Sequence, residues 1–432
     1  MSVAGCPMEI DNSLLQDDDD DDDDEDDDMD GGGDLSLVCS KVANNDPSLT
    51  FLEFYGDDLR DEGDLLVLVT CLRNNSHVTS LALHGCSVGK EAMLALNETL
   101  RVNRHLRLLT MNQVSGVGPT LLGPVWQSLA QQQQPNEGLE SICLEETSMG
   151  ADGCQFIDEF LRHNQTVRDL NLAKNRLGIE GGLAIARGLP HNNTLHLLSL
   201  SLCQLTNTVG RELLRAIGTN RYLLQVDLGG NLLDDELAPD VEDMLRRNKT
   251  LKQISFTLNH FGPPTAQAIV SALKPNECPN NNNNNNNKYN YNTTLTGFSL
   301  GANRLGQRGA EILGKGLPEM KSIIGACLMS NNFGEEGVRH LVDGLEKSKS
   351  IVKLNIGALN DMDPSLYHAA RFYERRNEIA WKILEGDDAN DATTPHQRLW
   401  PYIFSKLHRD PDMIFFLVKE RPSLFLRTDA YN

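Results

Sequence analysis

One hydrophobic pattern returns along most of the chain. A stretch reading L-x-x-L-x-L-x-x-N-x-L, with apolar residues in the L places, begins at Val78, Leu106, Leu139, Val167, Leu195, Leu223, Leu251, Leu295, Ile323 and Ile351. Seven of the nine steps between these starts are identical, and the other two, from Leu106 to Leu139 and from Leu251 to Leu295, are longer. A degenerate copy starts one step before the first, at Leu49, with Leu52, Phe54 and Leu59 in apolar slots. Self-similarity at a fixed period of roughly 28 residues predicts stacked units, each burying a face against its neighbours.

Each unit changes its local period half-way. The fourth and sixth residues, such as Leu170 and Leu172, alternate with residues facing the other way, which predicts a short strand. The second half carries apolar residues at helical spacing, as in Met93, Leu96 and Leu100 or Val338, Leu341 and Leu345, which predicts a helix with one apolar stripe. The ninth place holds Cys86, Asn175, Cys203, Asn231, Asn259, Asn303 and Asn331, side chains suited to turn inward and bond backbone groups left unpaired at the strand end. Gly89, Gly150, Gly178, Gly262, Gly306 and Gly334 fill the twelfth place, where their freedom in φ suits the turn into the helix. Asn at the twenty-sixth place, followed by Thr or Ser two places on, reads as helix-ending turn chemistry. The Asn-x-Thr sequons at Asn164, Asn192, Asn248 and Asn292 are therefore expected to serve structure and to carry no glycan.

A strand, an inward Asn or Cys, a turn glycine and a helix within each repeat resemble the ribonuclease-inhibitor class of leucine-rich repeat, as found in NLR-type receptors and Ran GTPase-activating proteins. The resemblance covers residues 49 to 360. It implies an α/β fold: a horseshoe solenoid of about 11 such repeats, with a parallel sheet on the concave side and helices outside.

The ends depart from the repeat. Asp17–Asp24, Glu25, Asp26–Asp28 and Asp30 precede three glycines, so residues 1–47 are expected to be a disordered acidic arm. Residues 48–360 are expected to be the solenoid, interrupted by an Asn-rich insert at 276–293. Residues 361–432, with Trp400, Tyr402, Phe404, Phe415, Phe416 and Phe425, are expected to form a helical C-terminal cap. This tail looks like that of algal leucine-rich repeat proteins.

Charge narrows the partners. Acids outnumber Lys and Arg by 61 to 39, a net −22, and 16 of those acids lie between Met1 and Asp34, a stretch with no Lys or Arg. Such a chain is repelled by phosphate backbones and by anionic lipid, so neither nucleic acid nor membrane is an expected partner. Met1 is followed by no basic and apolar leader, and no apolar run approaches the roughly 20 residues that span a bilayer, so the chain is expected inside the cell, in cytoplasm, nucleus or both. Nine Cys without a CxxC pair fit reduced thiols better than zinc or disulfides.

Catalytic signals are wanting. Gly85–Lys90 has the wrong glycine spacing for a phosphate loop and is followed by Glu91, where Ser or Thr is needed. Asp26, Asp28, Asp30 and Gly31 imitate the start of a calcium loop, but the twelfth place is Leu37 instead of Glu. No enzyme activity, cofactor or metal is expected. On the concave side, His84, Asn112, Glu145, Glu146, Lys174 and Asp227 are the candidate partner-binding residues, and beyond Asp227 the lining turns small and neutral, as at Gly229, Ser255 and Gly301. The expected function is a non-enzymatic protein–protein interaction scaffold or adaptor. Its partner is a protein, with a basic protein favoured by the acidic arm. The alternative that the resemblance implies is a Ran-type activator acting on a small GTPase.

Overall fold

The computed structural model describes residues 35–56, 58–59, 62–116, 118–130, 138–275, 291–357 and 363–385. Eleven strands pair in chain order into one parallel sheet. They are β1 (Phe51–Tyr55), β2 (Ser80–His84), β3 (Leu108–Asn112), β4 (Ser141–Cys143), β5 (Asp169–Asn171), β6 (Leu197–Ser199), β7 (Gln225–Asp227), β8 (Gln253–Ser255), β9 (Gly297–Ser299), β10 (Gly325–Cys327) and β11 (Lys353–Asn355). Between and around them run α1 (Leu35–Ala43), α2 (Glu62–Leu72), α3 (Lys90–Val102), α4 (Gly118–Ala130), α5 (Ile157–His163), α6 (Gly178–Gly188), α7 (Asn207–Thr219), α8 (Ala238–Arg247), α9 (Pro263–Leu273), α10 (Gly306–Gly316), α11 (Gly334–Lys347) and α12 (Pro364–Glu385). The chain is an α/β leucine-rich repeat solenoid.

The register follows the repeat without slipping: Leu109 pairs with Ile142, Ile142 with Leu170, and Leu170 with Leu198. Right-handed crossovers put successive helices on one side of the sheet. There the fourth and sixth residues of each unit meet the helical stripe in one continuous core, for example Leu170 and Leu172 with Ile185 and Leu189. Strands lie about 4.8 Å apart whereas packed helices need roughly 8–10 Å, so the array bends with the sheet inside.

Two ladders of asparagine stitch the units. Asn231 donates to the carbonyls of Leu200 (2.9 Å), Leu228 (2.9 Å) and Gly229 (3.1 Å) and accepts from the amides of Cys203 and Leu205. Cys203 takes its own ninth place more weakly, its thiol reaching Leu172 O at 3.2 Å. The twenty-sixth-place asparagines form the second ladder. Asn248 accepts from Thr250 and Leu251 amides, closing the helix end, and donates to Ile217 O and Asn220 O of the preceding unit. Asn192 and Asn292 repeat this arrangement. The sequon asparagines Asn164, Asn192, Asn248 and Asn292 are all buried.

The turn departs from the glycine expectation. Gly150, Gly178, Gly306 and Gly334 do have positive φ, but Gly89 (φ −74°) and Gly262 (φ −125°) do not. At Gly262 the demand is space: a Cβ would lie 2.7 Å from the Asp235 carboxylate that accepts its amide. The left-handed position common to the units is the eighth, occupied by Gly85, Gln113, Glu146, Lys174, Leu202, Gly230, Leu258, Ala302 and Ser330 at φ 50–65°. This kink turns the ninth side chain inward while the eighth amide still bonds the next unit, as Lys174 N does to Ser201 O.

The start of the folded body lies earlier than the repeat pattern suggested. The arm expected to reach residue 47 gives way earlier, because Leu35–Ala43 is helical and buries Cys39 and Val42. Asn75 donates to Val42 O at 2.9 Å, so α1 serves as the helix of a unit preceding the first strand. At the other end α12 closes the stack. Glu374 accepts the amide of Leu354 on the last strand (2.6 Å), and Arg376 donates to Leu345 O and Ser348 O, the two carbonyls an asparagine of the second ladder would take. The acidic tract, the core of the Asn-rich insert and the aromatic segment from Trp400 to Phe425 lie outside the described residues.

Candidate binding surface

Alternation along each strand sends the third, fifth and seventh residues of a unit to the face opposite the helices. The rows they form across adjacent strands bring distant sequence positions to about 5 Å of one another. At the first corner, His84 Nε2 lies 3.2 Å from Glu53 Oε1, and the Tyr55 ring stacks on the imidazole at 5.2 Å. Tyr55 also donates to the same Glu53 oxygen.

A lateral polar network continues over β3–β5. The Cys143 thiol donates to Asn112 Oδ1 (3.2 Å), and Asn171 donates to Cys143 Sγ and, at 3.5 Å, to Glu145 Oε2. Lys174 Nζ meets Glu145 Oε1 at 2.7 Å and Glu146 Oε2 at 3.9 Å, while Gln113 donates to Glu146. Glu145 is only 6% exposed, so its carboxylate is fixed by these partners. The hydrogen bond and charge of Glu145 in turn raise the Lys174 pKa above its ordinary value.

The structure thus places His84, Asn112, Glu145, Glu146 and Lys174 on or next to four neighbouring strands. Asp227 stands apart, two strands beyond Asn171, where it accepts the Gly229 amide at 2.8 Å. Burial pushes its carboxyl pKa up, as it does that of Asp169. Around and beyond Asp227 the face carries a hydroxyl chain, Ser255 to Thr257 to Ser299, then Gly301. Glu53 and Tyr55 escaped the sequence reading because the first unit is degenerate. Cys143 and Asn171 occupy fifth places and Gln113 an eighth place, so position alone marked them as facing the surface or its rim.

Among the described residues there is no group of three or more His, Cys, Asp or Glu that could hold a metal ion, and no helix long and apolar enough to cross a membrane. The arrangement offers directed hydrogen-bond donors and acceptors and fixed charge across a broad face.

A family model described as "Leucine Rich repeat" matches residues 163–186, from the end of α5 through β5 into α6. No curated protein matches the sequence. Among solved structures, the chain is similar to an internalin from Listeria monocytogenes at 14% identity, covering 75% of this chain and 94% of that one, with a TM-score of 0.37. It is also similar to the leiomodin-1 actin-binding site 2 at 13% identity (50% and 98% covered, TM-score 0.30) and to a tropomodulin C-terminal domain from Caenorhabditis elegans at 10% (47% and 97% covered, TM-score 0.31). With TM-scores below 0.5, none of the three bears on what this chain binds.

Proposed function

We propose that this leucine-rich repeat protein is a non-enzymatic scaffold or adaptor that binds another protein across the open face of its sheet. The observation that carries the reading is the network around Glu145: a nearly buried carboxylate, held by Lys174 and Asn171, on the face turned away from the helices. Groups already fixed in place lose little freedom when a partner docks, which favours tight and oriented binding. Glu146, half-exposed beside them, supplies a charge that a basic partner group can meet. The small side chains at Gly229, Thr257 and Gly301 let a partner's backbone approach the neighbouring strands closely.

The test is affinity capture with quantitative mass spectrometry on the native chain, Glu146→Lys and Thr257→Arg, with melting temperatures confirming that each variant folds. Recovery of a specific partner is expected to drop about tenfold or more in both variants, the equivalent of roughly 1.4 kcal/mol each. A partner retained by both would place recognition elsewhere. Addition of the protein to small GTPases is expected to leave GTP hydrolysis at its intrinsic rate, and stimulation would replace the scaffold reading with the Ran-type activator.

A further inference from the structure

Charge is sorted between the two edges of the solenoid. Ten connections lead from a helix to the next strand between α2 and β11, and their described residues lie on one edge. Counting a terminal 3-10 turn as part of its helix, eight of them are described throughout, and these eight hold nine Lys and Arg and no Asp or Glu. The opposite connections from β2 to α11 are balanced, with Lys174, Arg176 and Arg304 against Glu145, Glu146 and Asp234.

Helix ends do not account for this bias. A cation in the last helical turn offsets the negative end of the helix dipole, and bases there, such as Arg162 and Arg247, pair with an acid one turn earlier. Most of the edge bases lie past the helix end instead, several of them just after the asparagine that closes it, as Arg104, Arg221 and Lys249 do. Arg221 is held by the backbone carbonyls of Gly218 (3.0 Å) and Asn220 (3.3 Å), and Lys249 by that of Tyr291 (3.1 Å). Burial, and after it the charges of Arg246 and Arg221, lower the Lys249 pKa. Arg107, by contrast, is paired with Glu140 of the neighbouring connection.

We propose that this basic edge is the docking surface of the chain's own acidic tract, Asp17–Asp30. Every member of the tract except Met29 is an acid. Its length matches the edge: fully extended it spans roughly 48 Å, and ten strand spacings also come to roughly 48 Å. The attachment permits it. Helix α1 runs towards the basic edge, as every helix leading into a strand does, and it is about 13 Å long. Gly31–Asp34 are four residues, long enough when extended (about 3.4 Å each) to let Asp30 reach back to that edge. A tethered segment meets its site at an effective concentration near millimolar, so modest attraction per contact suffices. The tract then screens the edge from other anions until a more basic partner draws it away.

Zero-length carbodiimide coupling of the full-length protein, read by mass spectrometry on the monomer fraction, tests this. Links from Asp17–Asp30 are expected to concentrate on Lys249, Lys252, Lys321 and Lys349 and to fall severalfold at about 0.5 M salt, where charges are screened within a few ångströms. Equal linkage to Lys90, Lys174 and Lys315 would overturn the proposal, and links confined to dimers would assign the edge to a second copy's tract. The variant Arg221→Glu/Lys249→Glu/Lys252→Glu is expected to lose the links at Lys321 and Lys349 as well. In case that variant misfolds, a labelled Asp17–Asp30 peptide is added to a chain whose tract is changed to Asn. Saturable binding at least tenfold tighter than to the native chain is expected, and equal or absent binding would refute the tract as occupant.

Discussion

A single amide side chain joins two units at the ninth place. Asn231 satisfies three carbonyls and two amides that have no strand or helix partner where the chain turns. Asn231→Ala leaves the Leu200 carbonyl and the amides of Cys203 and Leu205 buried without these partners, while Gly229 O keeps the Leu202 amide and Leu228 O keeps Asn259, and its expected cost is about 2–4 kcal/mol, measured as a loss in urea-unfolding free energy. The eighth place behaves oppositely. Leu258 is held at φ 55° while 57% exposed, so it carries strain with little packing in return. Leu258→Asn places a residue that tolerates the left-handed region there, and a gain of about 0.5–1 kcal/mol is expected by the same measurement. A loss would show that the exposed leucine packs more than its exposure implies. The sequence marked Asn231 through its recurrence, whereas the strained place was invisible because seven different amino acids occupy it.

At the scale of elements, neighbouring helices sit at distances set by their smallest residues. A Cβ on Gly344 of α11 would lie 2.2 Å from Gly314 O of α10, and one on Gly314 would lie 2.2 Å from His340 O. Alanine favours a helix by about 1 kcal/mol over glycine, but here it must push two backbones apart. Gly344→Ala is therefore expected to destabilise by about 1–3 kcal/mol in spite of its propensity, and unchanged or raised stability would contradict the close approach. The stack is closed by the same economy of means. Asn75 binds α1 as though it were an earlier repeat helix, and Arg376 takes the asparagine's place at the end. Arg376 stands at the twenty-sixth place of the last unit, so the offset was present in the sequence, but the change of residue type hid it.

For the whole molecule, buried carboxylates set a pH dependence. Burial raises the carboxyl pKa of Asp169, Asp227 and Glu374. The folded chain then holds these protons more tightly than the unfolded chain, so stability declines as pH rises through the raised values and grows as pH falls back towards the ordinary carboxylate range. The opposite sign belongs to Glu311, held down to about 2 by the hydrogen bonds and charges of Lys315 and Arg308, whose contribution is lost only as pH falls below the ordinary carboxylate range. The urea midpoint is accordingly expected to be higher just above the ordinary carboxylate range, at about pH 5, than at about pH 7.5. Asp227→Asn/Glu374→Gln, which keeps acceptors for the Gly229 and Leu354 amides, is expected to shrink that difference. A lower midpoint at the acidic pH in the native chain would contradict the sign.

Periodicity alone established the repeat, the strand register, the helical stripe and both asparagine places, because a regular period writes each core contact many times and every copy constrains the same geometry. It also singled out Glu145, Glu146 and Lys174 by their places in the unit. That Lys174 closes on Glu145 across one strand step while Asp227 stays apart was settled by the folded stack, since side-chain pairing depends on length and rotamer and not on period. The same holds for the ends and the basic edge. A helix that caps a stack, and cations scattered along the sequence from Arg73 to Lys349, acquire meaning once stacking brings each unit within about 5 Å of the next.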